Sequence, residues 1–289
     1  MFVQIINKSR VHFALALLTG SLITACSPEE NGIGNGLTDP NVDASFTITA
    51  VDGDANSFML QAATENVLRY SWDVGNGFYN AAAIDTIFLP DAGSYTVTHQ
   101  ALGRGGAVNT TSQEIDVATS DPVAGNIIQG GKFEDQAARE QWTVLNISET
   151  GANWSFNDGF ATITASDYNQ QGIYQAVEVE ANKEYTIDMR VFSAGTDRVW
   201  FEVYASAEPP VQGTEYKAGG IVMGTSSFDG GCGFSEYDGR LSQLNCVSDG
   251  NTVTFDQSGT VYLVLRSGGV STGSTGISVT NIEMRGKRE

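Results

Sequence analysis

Six short runs, SFTITAV, GSYTVTHQAL, FATITAS, KEYTIDMRVF, RVWFEVYAS and TVYLVLRS, alternate apolar with polar residues at a period of two. Successive side chains of a strand point to opposite faces, so this period describes half-buried β-strands and does not suit a helical stripe. Charged residues make up only 17% of the chain and glycine contributes 33 positions, so no long helical pattern competes. The expected fold class is all-β.

Alternation also separates core from face. In RVWFEVYAS, Val199, Phe201 and Val203 fall on one side, which puts Trp200, Glu202 and Tyr204 on the other. In KEYTIDMRVF, Tyr185, Ile187, Met189 and Val191 read as buried, with Asp188, Arg190 and Phe192 opposite; in TVYLVLRS, Val261, Leu263 and Leu265 point inward and Tyr262, Val264 and Arg266 outward. Three strands thus present aromatic and charged groups together on a non-core face. Such a face suits a sugar, whose C–H surface lies on flat rings while its hydroxyls bond to carboxylates and guanidinium groups. Trp200 and Tyr204 are the expected platforms, with Asp188, Arg190, Glu202 and Arg266 as polar partners. The competing reading covers the face with a loop and puts Trp200 in a second small core. Trp154 and Tyr168 are lesser candidates near the same edge, and Trp154 shares alternation with Phe156, which also suits a core.

The N-terminus sets the address. Lys8 and Arg10 precede an apolar segment, Val11 to Ala25, built like a secretory signal and too short to span a bilayer. Leu22-Ile23-Thr24-Ala25-Cys26 resembles the bacterial lipobox, which implies a signal peptide over 1–25 and lipidation of Cys26. The Ser27-Pro28-Glu29-Glu30 stretch that follows is similar to the export signal of Bacteroidetes lipoproteins at the outer face of the outer membrane. Residues 26–43 then read as a lipidated, flexible tether. Removal of the signal leaves 13 basic against 34 acidic residues, a charge that argues against nucleic acid as a partner. With Cys26 on lipid, Cys232 and Cys246 remain as an even pair in an oxidising compartment, and a disulfide is expected.

A break at ATSDPVAG separates two strand-rich regions, 44–118 and 126–287, with 119–125 as linker. In the first, YSWDVGNG (Tyr70 to Gly77) and AGSYTVTHQA resemble polycystic-kidney-disease (PKD) domains. That resemblance implies an Ig-like β-sandwich acting as a spacer, with Trp72 in the core and Asp73 in a tight turn; Val74 and Asn76 depart from the pattern. In the second, NIIQGGKFEDQAAREQW and GISVTNIEMRGK resemble the opening and closing strands of jelly-roll carbohydrate-binding modules of families four, nine and twenty-two. The resemblance implies a C-terminal β-jelly-roll, and a structural calcium where first and last strands meet. Glu134, the backbone oxygen of Gly130 and Asn281 are the candidate ligands, Asn281 standing where an aspartate is usual. The alternative reading makes Glu134 a surface carboxylate beside a turn.

The segment from Pro209 to Val247 has little strand pattern and carries Tyr216, Phe228, Phe234 and Tyr237. A Cys232–Cys246 bridge either holds an aromatic loop against the cleft rim or staples a long insertion. Catalytic chemistry finds little support. After signal removal one histidine, His99, remains, on a strand of the first domain, which disfavours a triad or a zinc site. A hydrolase needs two carboxylates, and Asp188 with Glu202 on adjacent strands would be the pair.

The expected function is therefore non-catalytic: a cell-surface lipoprotein capturing polysaccharide for an outer-membrane glycan importer. A neutral β-glucan of the laminarin type, β-1,3-linked, is the favoured ligand. The alternative is a surface adhesin or structural protein with protein partners.

Overall fold

The computed structural model describes residues 42–65, 67–228, 231–233 and 235–288. The signal segment, Cys26 and nearly all of the tether lie outside them.

The N-terminal strands are β1 (Phe46–Val51), β2 (Asp54–Ala62), β3 (Arg69–Asp73), β4 (Tyr79–Ala81), β5 (Ile84–Phe88), β6 (Gly93–Leu102) and β7 (Val108–Val117). They form a three-stranded sheet, β1-β2-β5, and a four-stranded sheet, β4-β3-β6-β7, as in an Ig-like sandwich. By compactness the chain falls into two units. One holds the described residues up to Thr47 with Leu60–Asp85 and Thr96–Gln113; the other holds Ile48–Met59, Thr86–Tyr95 and the chain from Glu114 onward.

In the first unit Trp72 is fully buried. Phe46 meets it edge-on at 5.2 Å and His99 stacks on it at 4.2 Å. Its indole N–H donates to the Ala82 carbonyl at 3.2 Å, so the ring is buried without an orphaned donor. Asp73 closes the following turn: its Oδ1 accepts from the N–H groups of Gly75 and Gly77 at 2.8 and 3.0 Å. Those glycines hold φ of 107° and 94°, which side chains resist.

The second unit continues with α1 (Gln136–Glu140), β8 (Thr143–Asn146), β9 (Ala152–Phe156), β10 (Ala161–Val179), β11 (Glu184–Ser193), β12 (Asp197–Ser206), β13 (Ile221–Ser226), β14 (Tyr237–Arg240), α2 (Leu241–Leu244), β15 (Thr252–Thr254), β16 (Gly259–Ser271) and β17 (Ile277–Gly286). The strands run β13-β12-β16-β10-β17-β11-β14, with β8 and β9 on β10 and β15 on β11. β10 serves both layers of this jelly-roll sandwich. Its first residues pair with β9 and β17, and those from Asn169 onward with β16 and β8. The change falls at a register shift between Ser166 and Asn169, where Asp167 and Tyr168 take φ of 54° and 64°. An extra residue in the ladder and left-handed backbone together turn the strand from one layer into the other.

The inward residues expected from alternation fill the space between the layers. Ile187, Met189 and Val191 of β11 share one buried apolar cluster with Phe201 and Val203 of β12 and Leu263 and Leu265 of β16. Each such burial contributes roughly 1.5–3 kcal/mol.

Candidate functional site

The outward residues of β12 and β16 stand side by side. Glu202 is in register with Arg266, Tyr204 with Val264 and Trp200 with Gly268. Gly268 has no alternative at this place, because a Cβ there would lie 2.5 Å from the Asn169 carbonyl oxygen. Trp200 therefore has bare backbone as its neighbour on β16.

Arg266 is 4% exposed; its Nε is left without a partner, but both Nη groups are paired, which offsets much of the lost hydration of a buried guanidinium. Its Nη1 donates to Glu215 Oε1 at 2.5 Å. Its Nη2 donates to Glu202 Oε2 and, at 2.8 Å, to the Tyr204 hydroxyl. The Tyr204 hydroxyl donates to Glu202 Oε2 at 2.7 Å, and Lys217 reaches the other oxygen of Glu215 at 2.7 Å. Burial, followed by the bond to Glu202, pushes the Tyr204 phenol well above its usual range. Burial pushes the Glu215 carboxyl up, but Lys217 and Arg266 outweigh it and hold it below the usual carboxylate range. Both carboxylates accept from the one guanidinium.

A cavity of about 550 Å³ opens beside this network, lined by Trp200, Glu202, Glu215, Lys217, Ile221 and Arg266 among others. One wall comes from the connection between β12 and β13, which crosses the sheet. Gly213 N–H donates to the Asn146 carbonyl at 2.7 Å, and the Gln212 side chain both accepts from Asn146 N–H and donates to Val144 O. Tyr216 is buried against Tyr204, ring centres 6.0 Å apart and perpendicular, within a small cluster that also holds Leu145 and Val264. The loop-covered reading thus describes half of the face. Trp200 stands outside that cluster, partly exposed, and stacks on Phe228 at 6.0 Å.

Not every expected site residue presents itself as expected, and several lie elsewhere. Tyr204 lines the cavity, but at 2% exposed it supports Arg266 instead of presenting a platform. Asp188 and Arg190 are on β11, in the opposite layer, so no single face carries all the nominated residues. Asp188 is buried and accepts from Arg240 Nη1 and from Ser242 N and Oγ. Arg190 forks to Asp238 at 2.8 and 2.7 Å and lies over the Phe192 ring. Asp188 and Glu202 therefore cannot form a facing acid–base pair. Trp154 is 5% exposed inside the main core, in register with Ile163. Tyr168 is exposed, at the corner where β10 changes layers.

Of the three calcium candidates, one accepts protein hydrogen bonds and two are exposed. A carbonyl oxygen has two lone pairs, and those of Gly130 take Phe133 N–H at 3.1 Å and Trp142 Nε1–H at 3.2 Å. Glu134 is exposed beside Lys132 at 3.6 Å, and Asn281 is an exposed residue with φ of 50°. Among the described residues no cluster of three or more His, Cys, Asp or Glu is placed to hold a metal. Cys232 and Cys246 are cross-linked, their Cα atoms 5.4 Å apart. Glu215, Lys217, Ile221 and Phe228 join the site without having been nominated individually. They come from, or border, the segment that lacks any period, and only its aromatic content marked it.

No family model matches the chain, and no curated protein does. Solved structures give distant likenesses. One is a carbohydrate-binding module of the β-sandwich superfamily described for promiscuous specificity, 15% identical, spanning 83% of this chain and 96% of its own, with a TM-score of 0.34. A CBM4 module is 17% identical over 55% of this chain and 99% of its own, TM-score 0.29. A third, TmCBM61 in complex with β-1,4-galactotriose, is 10% identical over 57% of this chain and 99% of its own, TM-score 0.27. Likenesses this distant leave the ligand to be argued from the cavity itself.

Proposed function

We propose that the C-terminal sandwich is a non-catalytic glycan-binding module whose site is the cavity beside Trp200. The observation that carries this reading is one cavity combining a partly exposed indole and Ile221 with charges that cancel, Glu202 and Glu215 against Arg266 and Lys217. A pyranose supplies the matching surfaces, a C–H face for the ring and hydroxyls for the carboxylates and the ammonium. Local neutrality favours an uncharged sugar, and a chain of net charge −19 repels polyanions. Among neutral polymers we favour a laminarin-type β-1,3-glucan. With Cys26 carrying lipid, the module stands at the cell surface on the outer membrane, raised by a PKD-like spacer, and supplies a glycan importer. Attachment raises effective concentration, so individual sites need only be weak.

Affinity electrophoresis against a panel of neutral and acidic polysaccharides tests the proposal; no retardation by any of them sinks it. Trp200→Ala is expected to abolish retardation while leaving the unfolding midpoint in place, and unchanged migration moves the site elsewhere. One observation favours a second reading, an adhesin with protein partners: Leu68, Phe78, Tyr79 and Ile84 of the first unit are large apolar residues left exposed. Replacing Phe78 and Tyr79 with serine leaves glycan retardation untouched under the first reading.

A further inference from the structure

Trp200 differs from the other tryptophans in its exposure. Trp72, Trp142 and Trp154 are at most 5% exposed; the first two donate their indole N–H to carbonyls, while that of Trp154 makes no hydrogen bond. Trp200 is partly exposed, yet its Nε1 is covered and makes no hydrogen bond. With no polar anchor, the ring's orientation rests on packing, and its aromatic contact is Phe228, 6.0 Å away and inclined by 28°.

Phe228 belongs to a short excursion that returns to β13. Its carbonyl accepts from Gly231 N–H at 2.8 Å, and Cys232 N–H then donates to the Ser226 carbonyl at 2.9 Å. The Cys232 sulfur also accepts from Thr225 Oγ1 and Ser226 N. From the far side, Cys246 N–H donates to the Gly224 carbonyl at 3.2 Å. The Cys232–Cys246 crosslink thus sits against Gly224–Ser226, the part of β13 in register with Glu202, Phe201 and Trp200. It closes the base of the excursion that carries Phe228.

We propose that Phe228 is a positioning residue for Trp200 and that the Cys232–Cys246 crosslink holds it in place, which makes glycan capture depend on an oxidised disulfide. The affinity half of this proposal rests on the reading of the cavity as a glycan site. The positioning half does not. An aromatic pair of this kind contributes modestly beyond its area, which corresponds to a change in affinity of about threefold to tenfold.

The test uses the full chain as wild type, Phe228→Ala, Phe228→Tyr and a Cys232→Ser/Cys246→Ser double variant. Each is titrated calorimetrically with a laminarin-derived β-1,3-gluco-oligosaccharide and, without sugar, by acrylamide quenching of tryptophan emission. Because the other three indoles are buried, quencher access reports on Trp200. Phe228→Ala is expected to bind about threefold to tenfold more weakly and to quench more readily; Phe228→Tyr restores both values, and the double serine variant reproduces both losses. Wild-type quenching and affinity in Phe228→Ala overturn the positioning role, and the same result in the double serine variant overturns the crosslink's part. If that variant does not fold, dithiothreitol on the wild type gives the same comparison. A wild type that ignores the sugar fails the glycan reading and the affinity half with it, while quenching still decides whether Phe228 orients Trp200.

Discussion

On the outer face of β11 and β17, Arg190 forks to Asp238, and Arg240 bridges Asp188 and Glu283 at 2.8 and 3.0 Å. On the outer face of β12 and β16, Arg266 also bridges two carboxylates; a cavity of about 550 Å³ opens beside each face, but the one here is walled by an indole, Trp200. Both faces were read from the sequence as one mixture of aromatic and charged groups. What separates them is exposure. Arg190 and Arg240 are about half exposed at the side chain, whereas Arg266 is 5% exposed and covered by a loop that brings Glu215 to it. Charge on the first face closes upon itself; on the second, a buried cation holds two acceptors at the rim of an opening.

The comparison is tested most severely by Arg266→Met. Removing a buried cation strands Glu202, so urea unfolding is expected to show a loss of about 3–5 kcal/mol, together with loss of sugar binding. A loss below about 1 kcal/mol would make Arg266 no different from an exposed ion pair. Asp188→Asn comes next, because Asp188 is buried and accepts four hydrogen bonds. It is expected to cost about 1–3 kcal/mol in unfolding while oligosaccharide affinity stays at the wild-type value.

A smaller effect follows from Glu215, whose carboxyl is held below its ordinary 4.5. A group depressed in the fold contributes stability above its unfolded pKa and loses it as pH falls through the folded value. The stability gap between wild type and Glu215→Gln should therefore be constant from neutral pH down to 4.5 and close at more acid pH, as read from thermal midpoints. Arg190→Ala should give the least change. Its pair with Asp238 is exposed, and both midpoint and affinity are expected to remain at wild type.

Alternation identified the inward set on β11, β12 and β16 because a strand buried on one face can satisfy only one parity. It was silent on which layer each strand joins. β11 and β12 follow each other after Ser193 with only Ala194–Thr196 between them, yet they lie in different layers, and no local pattern distinguishes that crossing from a hairpin. Asp188 and Arg190 were therefore assigned to the wrong company. Trp154 illustrates a related limit: parity with Phe156 makes a core place readable, while its position near a loop at the domain edge keeps it a lesser binding candidate. Glu215 and Lys217 escape individual notice, and Phe228 is marked only as one of the segment's aromatics, because a loop's contacts depend on where its ends are held, here by Asn146 across the sheet and by Cys246 across the crosslink.

The long strand β10 has a mechanical meaning. A sandwich whose layers share no strand can loosen one layer at a time, whereas here a single 19-residue spar lies in both. Peeling β17 or β9 from its first segment frees the backbone that braces the second against β16 and β8, with only the Asp167–Tyr168 bend between them. Load applied to either layer is therefore carried by the other through β10.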